Sequence, residues 1–269
     1  MSQQTIVPFL RWPGGKRWLI EQHPNLFPKT FNAYCEPFLG SGAVFFYLNP
    51  ERAILSDSNA ALIETFSAIR NSWRKVISEL EKHQELHSVD YYYYIRDTTP
   101  TSRHERAARF IYLNRTCFNG IYRVNRNGEF NVPVGDKKNV ILESDNWREV
   151  SLALRPANLI SCDFEAALDM TREGDFAFID PPYTVKHNAN NFVKYNENLF
   201  SWQDQVRLNK SIRKALCRGV KILMLNAAHD CIRDLYSGQG TITAVARHSV
   251  IASSSRFRGL YDEIVFSAN

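Results

Sequence analysis

Short apolar segments that contain or lead into an acidic residue recur in this chain, and a turn follows two of them. The segment AYCEPF precedes LGSGAVFFYL, in which two glycines open a helical pattern. The segment FAFI precedes DPPY at residues 180–183. A strand, a glycine turn, a helix and an acidic strand end together form the basic unit of nucleotide-binding α/β folds. The pattern therefore predicts a sheet that binds a ligand at the ends of its strands.

Other segments extend this prediction along the chain. Short apolar runs predict strands at RAILSD, NLISC, VKILML and YDEIVF. Ser201, with Asp204 three residues later, predicts the start of a helix over WQDQVRLNKSIRKALCR. Residues 59–155 are richer in charge and helical in pattern, and their Asn127-Gly128 pair signals a β-hairpin. We expect a catalytic domain built from residues 1–58 and 156–269, with a mostly helical insertion at 59–155.

Composition excludes several classes of protein. The chain has 269 residues and a net charge of +5, which is compatible with a polyanionic partner. Its five cysteines are scattered and form no C-x-x-C pair, so we predict no zinc site and no other metal. No run of about twenty apolar residues or apolar N-terminal leader is present. We therefore expect a cytoplasmic protein without a membrane-spanning helix.

The DPPY motif offers two acceptors to an amine. The Asp180 carboxylate can take one hydrogen of an NH₂ group. Pro182 favours an extended conformation at Pro181, whose carbonyl can then be aimed as a second acceptor. Tyr183 can stack on the ring that carries the amine. Taken alone, the motif also suits a rigid loop that closes a strand.

Two other segments carry candidate ligand contacts. Glu36 ends the first predicted strand, and Asp57 follows about twenty residues later, where an acid commonly binds ribose hydroxyls. In RWPGGK, a Pro-Gly-Gly turn separates Trp12 from Lys16, which suits a ligand with aromatic and carboxylate parts. On the residues alone, Glu36 also suits a surface carboxylate, Asp57 a helix cap, and Lys16 an exposed side chain of an ordinary turn.

The ordered set RWPGGK, EPFLGSG, SD and DPPY resembles the Dam-type DNA adenine-N6 methyltransferases of the α group. In that group the glycine motif precedes the target-recognition insertion and DPPY follows it. The segment RTCFNGIYRVNRNGEFNVPVG is also similar to the hairpin region of that family. The resemblance covers most of the chain. It implies an α/β fold, with a Rossmann-like methyltransferase sheet that ends in an antiparallel hairpin. Residues 59–155 would be an inserted, mostly helical target-recognition domain carrying a β-hairpin.

The resemblance also implies the reaction, which is transfer of a methyl group from S-adenosylmethionine to adenine N6 in double-stranded DNA, with flipping of the base. We expect a monomer in solution, of bacterial or phage origin. The implied catalytic residues are Asp180, Pro181, Pro182 and Tyr183. The implied cofactor-binding residues are Trp12, Lys16, Glu36, Pro37, Phe38, Gly40, Ser41, Gly42, Asp57, Asp163, Phe164 and Asp180.

The residues predicted to bind DNA are Arg11, Phe118, Asn119, Ile121, Arg123, Pro133, Arg256 and Arg258. By resemblance, Phe118 and Asn119 match a wedge beside the flipped base, and Arg11 reaches a base edge. Arg123 suits a bidentate contact to guanine, and the whole set suggests a GATC site. Arg256 and Arg258 are included because their loop, SSSRFRGLYDE, is basic. Without the resemblance, Phe118 and Ile121 suit core packing and Arg123 suits a solvated charge.

Other functions stay open at this point. Methylation of cytosine N4 or RNA adenine uses related folds, but those families often carry Ser or Asn in place of Asp180. A nuclease that uses the acid and lysine of DPPYTVK, or a catalytically silent DNA-binding relative, would also bind nucleic acid. Cytosine C5 chemistry is excluded, because no cysteine follows a proline as its nucleophile usually does. A restriction, phage or housekeeping role is equally open.

Overall fold

The computed structural model describes residues 6–125, 127–184, 200–248 and 260–269. Within these ranges the chain forms a seven-stranded sheet with the strand order β3-β2-β1-β4-β5-β7-β6. Strand β1 pairs in parallel with β2 and β4, β4 pairs in parallel with β5, and β7 pairs antiparallel with β5 and β6. The strands are β1 (Tyr34–Glu36), β2 (Ala53–Asp57), β3 (Ala157–Ser161), β4 (Phe176–Ile179), β5 (Lys221–Ala227), β6 (Thr241–His248) and β7 (Leu260–Ala268). The predicted Rossmann-like α/β sheet with a terminal antiparallel hairpin is confirmed.

The strand order reverses direction between β1 and β4. From β1, the next strands of the chain extend to one side of the sheet, and the later strands extend to the other side. Open α/β sheets bind ligands outside the carboxyl ends of their strands at such a point, because the following segments diverge there. The acidic ends of β1 and β4 therefore lie where a ligand is expected.

Helices alternate with the strands and also fill the middle of the chain. The helix cap predicted at Ser201 is confirmed. The Asp204 backbone N–H donates to Ser201 Oγ at 3.2 Å, and the Asp204 carboxylate accepts the Ser201 N–H at 2.9 Å. The described helices are α1 (Arg17–Gln22), α2 (Ala43–Leu48), α3 (Ala60–Leu86), α4 (Val89–Asp97), α5 (Arg103–Thr116), α6 (Trp147–Leu154), α7 (Phe164–Asp169), α8 (Trp202–Cys217) and α9 (Asp230–Tyr236). Short 3₁₀ turns occur at Pro24–Leu26 and Phe118–Gly120. None of these described helices combines the length and hydropathy needed to cross a bilayer.

The chain divides into two compact units, each made of several segments. Unit 1 comprises Met1–Ile20, Leu39–Glu51 and Asp57–Ser161, and it contains the helices α2 to α6. Unit 2 comprises Glu21–Phe38, Arg52–Ser56 and Cys162–Asn269, and it contains β1, β4 to β7 and α7 to α9. The core of unit 2 includes Ile179, Met224, Ile264 and Phe266. The functional division at 1–58, 59–155 and 156–269 stays a prediction.

Two further strand features can be compared with the sequence patterns. Strand β6 has no counterpart among the predicted strands. The predicted hairpin is present, with an antiparallel bridge between Val124 and Phe130. Gly128 has a φ of +80° and its N–H donates to the Asn125 carbonyl at 3.0 Å. A left-handed residue just after a turn suits glycine, because no Cβ is present to clash with the backbone.

Candidate active site

Two acidic residues lie at the carboxyl ends of neighbouring parallel strands of unit 2. Tyr34 on β1 lies opposite Phe176 on β4, and the two strands run in register toward Glu36 and Asp180. Glu36 is 3% exposed and accepts a hydrogen bond from the Tyr34 hydroxyl at 2.9 Å. Asp180 is half-buried. The structure thus brings both predicted acids to one edge of the sheet.

The remainder of the DPPY motif forms a partly buried turn after β4. Pro181 is buried, and Pro182 and Tyr183 are half-buried. The prolines have no N–H, so the turn offers carbonyl acceptors but no backbone donors at these two positions. The Tyr183 hydroxyl donates to the Glu263 carboxylate on β7 at 2.7 Å. This bond ties the aromatic side chain of the motif to the sheet.

A second group of unit 2 residues surrounds the start of α7. Asp163 caps this helix by accepting the Glu165 N–H at 2.9 Å. Arg207 forms an ion pair with Asp163 at 2.9 Å and lies over the Phe164 ring, 4.9 Å from its centroid. Phe38 stacks on the same ring at 5.5 Å. Phe164 is consequently buried by protein groups, and its predicted contact with the cofactor stays a prediction.

In unit 1, the segment RWPGGK forms a tight turn. The Gly15 N–H donates to the Trp12 carbonyl at 3.2 Å, and Gly14 has a φ of +79°. Proline followed by a glycine with positive φ is the pattern of a type II turn. Lys16 is only 4% exposed, and its Nζ donates to the Gly14 carbonyl at 2.8 Å. An ordinary turn would leave this lysine in solvent, so its burial favours a specific role.

The glycine turn of unit 1 is fixed from two sides. The ring of Trp12 lies so close to Gly40 that a Cβ there would be 2.8 Å from it. The Asp57 carboxylate accepts the Gly40 N–H at 3.2 Å and the Asn59 N–H at 3.0 Å. Burial raises the pKa of Asp57 above its usual value, while these two N–H groups act against that rise. Asp57 therefore orders the turn itself. Of the other predicted cofactor residues near this turn in sequence, Pro37, Ser41 and Gly42 are buried and Phe38 is half-buried.

Unit 1 also joins two of the segments predicted to bind DNA. The Asn114 side chain accepts the Arg11 backbone N–H at 2.9 Å and donates to the Arg11 carbonyl at 2.8 Å. Asn114 is fully buried on α5. Gly120 lies against the Arg11 side chain, where an added Cβ would be 3.0 Å from Cβ of that arginine. The predicted DNA residue Arg11 is thus held beside the turn that carries Phe118.

The predicted wedge is accessible in the structure. Phe118 is 46% exposed, although its sequence context alone suited core packing, and Asn119 is exposed as well. Asn119 has a φ of +55°, a left-handed conformation that few residues other than glycine and asparagine adopt readily. The exposed Pro133 accepts the Phe118 N–H through its carbonyl at 2.9 Å. Ile121 is half-buried, and its carbonyl accepts the Cys117 thiol at 3.4 Å.

Arg123 lies on the exposed surface of the hairpin. Its Nε donates to the Asn131 side chain at 2.8 Å, and one of its terminal nitrogens donates to the Asn131 carbonyl at 3.4 Å. These bonds orient the guanidinium across the two sides of the hairpin. Arg256 and Arg258 lie outside the described residues. Among the residues that are described, no group of three or more His, Cys, Asp or Glu side chains could hold a metal ion.

Comparison with known proteins identifies the family. A sequence profile described as "D12 class N6 adenine-specific DNA methyltransferase" matches residues 12–250. The chain belongs to this family. The resemblance to Dam-type enzymes is confirmed, and the protein is an adenine-N6 DNA methyltransferase.

Several relatives of this methyltransferase match it over most of their length. The type II methyltransferase M1.LlaDCHI of Lactococcus lactis subsp. cremoris is 35% identical over 270 residues, which cover 97% of this chain and 95% of that protein. The type II methyltransferase M.MjaIII of Methanocaldococcus jannaschii is 33% identical, with coverages of 97% and 99%. The DNA adenine methylase of Haemophilus influenzae is 34% identical, with coverages of 86% and 83%.

Sequence patterns did not reveal the residues that support the predicted site of the methyltransferase. Asn114, Arg207 and Glu263 each contact a predicted site residue, and none stands in a motif. Glu263 is preceded by two polar or aromatic residues and followed by IVF, so the sequence suggests only the start of a strand. Its partly buried bond to Tyr183 joins residues that are 80 positions apart. Such long-range polar pairs leave no periodic signal in a single sequence.

Proposed function

We propose that this methyltransferase uses S-adenosylmethionine, acts on adenine flipped out of duplex DNA, and recognises a site that contains GAT, most specifically GATC. The observation that carries the proposal is the position of DPPY. Asp180 follows β4 directly, beside β1, at the point where the strand order reverses. Ligands of α/β sheets bind at this point, so an amine held there would meet the carboxylate and the Pro181 carbonyl.

The chemistry of the predicted cofactor residues suits S-adenosylmethionine, which supplies an electrophilic methyl group. Glu36 is a buried carboxylate that can bind an ammonium group, and Lys16 is a buried ammonium that can bind a carboxylate. Gly40 lets the Trp12 ring lie directly against the glycine turn, because any Cβ there would be 2.8 Å from that ring. Trp12, Phe38, Asp57, Asp163 and Phe164 would add aromatic and hydroxyl-binding contacts. These are the groups that an amino acid joined to a nucleoside requires.

Asp180 and Pro181 would act on the adenine amine. The N6 lone pair is delocalised into the ring, so N6 is a weak nucleophile. Two hydrogen bonds from N6–H, one to the Asp180 carboxylate and one to the Pro181 carbonyl, would favour a more tetrahedral nitrogen with a localised lone pair. Tyr183 would stack on the base. Most of the rate enhancement would come from position and electrostatics, and the proton would leave N6 after methyl transfer makes it cationic.

Base flipping is proposed because N6 is inaccessible for this chemistry inside the duplex stack. Phe118 and Asn119 are exposed and adjacent, and a left-handed turn presents them together. An aromatic wedge with an amide neighbour can occupy the gap that the extruded base leaves. The buried amide of Asn114 would keep Arg11 in register with this turn.

The recognition site is proposed from residues of unit 1 that match the base-contacting positions of the family. These residues include Arg11, Ile121, Arg123 and Pro133. Arg123 supports the most specific part of the proposal, which is the selection of guanine. Its planar fork of donors selects guanine O6 and N7 over adenine, whose N6 amine presents a donor instead. In a palindromic site this guanine pairs with the final cytosine.

Modified-base sequencing tests the proposal. The chain would be expressed in cells that lack adenine methylation, and the plasmid DNA would be sequenced for N6-methyladenine and N4-methylcytosine. We expect N6-methyladenine within GATC. Methylation in a motif without GAT would contradict the recognition site, and N4-methylcytosine would contradict the target base.

Asn119 tests the proposed flipping role separately from cofactor binding. Asn119→Gly removes the side chain but keeps the left-handed backbone, whereas Asn119→Ala also strains it. A duplex with 2-aminopurine at the target position should brighten on binding of the wild type and clearly less with either variant. Affinity for S-adenosylmethionine should stay unchanged. Equal brightening with Asn119→Gly would remove the side chain from base extrusion.

Arg123 tests the recognition site. Arg123→Ala should lose about 1–3 kcal/mol of discrimination at the last base pair, while still requiring the target adenine. Because the side chain is exposed, folding should not change. The measurement compares methyl transfer to GATC and to duplexes altered at the fourth base. Asn131→Ala, which keeps the arginine but removes its side-chain acceptor, should lose less. Full fourth-base selectivity in Arg123→Ala would contradict the assignment.

A further inference from the structure

The buried carboxylate of Glu263 stands out among the residues around DPPY. It is 4% exposed and lies on β7, opposite Ala227 on β5 and Val245 on β6. A carboxylate inside a sheet is unfavourable without a strong partner. One such partner is the Tyr183 hydroxyl, which donates to it at 2.7 Å.

Strand alternation places Glu263 on the same face of the unit 2 sheet as the predicted catalytic acid. Ile264 belongs to the core cluster on one face, as does Ile179 of β4. Successive side chains of a strand point to opposite faces, so Glu263 points to the other face. Asp180 directly follows Ile179, and continued alternation would place its side chain on that face as well. Glu263 also lies beside Ala227, the last residue of β5, and hence at the carboxyl edge of the parallel strands.

We propose that Glu263 is a positioning residue, which holds the Tyr183 ring in the orientation that stacks on the target adenine. This inference rests on the proposed function. Stacking itself needs only an aromatic face, so the hydroxyl has another use. The ring is joined to the chain at one end, just after Pro182, and its hydroxyl is held at the other end by β7, a strand paired on both sides. Both ends are then fixed before the base arrives, which reduces the ordering required during the reaction.

The experiment uses the full-length chain and compares Tyr183→Phe, Glu263→Met and the double variant that carries both substitutions. Each single variant removes one group of the Tyr183–Glu263 hydrogen bond and leaves the other group without this contact. The double variant replaces both groups by apolar ones and should recover thermal stability. We expect the single-turnover rate of methyl transfer to fall about 10- to 100-fold in each single variant. The double variant should recover its melting temperature but not its rate. The KM for S-adenosylmethionine should stay within about twofold.

Glu263→Gln provides the conservative comparison, because its amide oxygen can still accept the hydroxyl. Its rate should lie between those of the wild type and Glu263→Met. Recovery of the rate together with stability in the double variant would show that the pair only supports the fold, and would overturn the inference. Wild-type rates in all variants would do the same. Absence of methyl transfer by the wild type itself would instead contradict the proposed function, so the two failures are distinguishable.

Discussion

Asp180→Ala should abolish methyl transfer to DNA and weaken binding of S-adenosylmethionine. The carboxylate is proposed to accept one hydrogen of the adenine amine and also to contact the methionine part of the cofactor. Loss of a single group of this kind lowers a rate by about 100- to 1,000-fold, and the additional loss of cofactor binding lowers turnover further. The measurement is incorporation of labelled methyl groups into a duplex with one site, with cofactor affinity determined in parallel.

Two variants sharpen this result. Asp180→Asn keeps an acceptor oxygen without the charge, and it should be slow but measurable. Asp169→Ala removes an exposed acid at the end of α7, outside the motif, and should behave as the wild type does. Wild-type turnover by Asp180→Ala would remove DPPY from the mechanism altogether.

Arg115→Ala should lower the free energy of unfolding by about 3–5 kcal/mol, the usual range when one partner of a buried ion pair is removed. Arg115 is fully buried on α5 and binds both oxygens of Asp145, at 2.6 and 2.7 Å. It also donates to the carbonyls of Phe9 and Val140 and lies over the Trp147 ring. The substitution would leave Asp145 buried without its cation.

Urea unfolding provides the measurement. Arg148→Ala removes an exposed arginine whose ion pair with Glu149 is at the surface, and it should change stability by less than about 1 kcal/mol. A double variant, Arg115→Met with Asp145→Leu, should recover much of the loss, because a buried pair can be replaced by apolar groups. An unchanged urea midpoint of unfolding in Arg115→Ala would show that these contacts make no net contribution to the free energy of unfolding. Because α5 leads into Phe118, we also expect weaker DNA binding by Arg115→Ala.

The parts of the fold that could be predicted are those whose signals are local. FAFI is a strand at the predicted residues, since apolar β-formers precede an acid and two prolines that end the pairing. Ser201 and Asp204 form the predicted capping box, because both partners lie within one helical turn. Strand β6 could not be predicted in the same way. Much of its described part is exposed, so it lacks the apolar run that marked the other strands.

The supporting polar residues could not be predicted for a related reason. Arg115 and Asn114 lie within RFIYLNRTCFNG, where the sequence suggests ordinary polar positions of a helix. Both side chains are nevertheless completely buried. Their partners are tens of residues away along the chain: Asp145 for the arginine and Arg11 for the asparagine. Burial of a polar residue is decided by tertiary contacts, which a single sequence does not encode locally. Lys16 is likewise a charged residue that is buried within a turn, although the local sequence suits an exposed side chain.

The most direct test of the central claim is to locate the transferred methyl group. Purified protein would be incubated with S-adenosylmethionine labelled in the methyl group and a duplex containing one GATC site, and the DNA would be digested to nucleosides. We expect the label in N6-methyldeoxyadenosine with the wild type and no label in that nucleoside with Asp180→Ala. Label in another nucleoside, or equal labelling of adenine by Asp180→Ala, would contradict it.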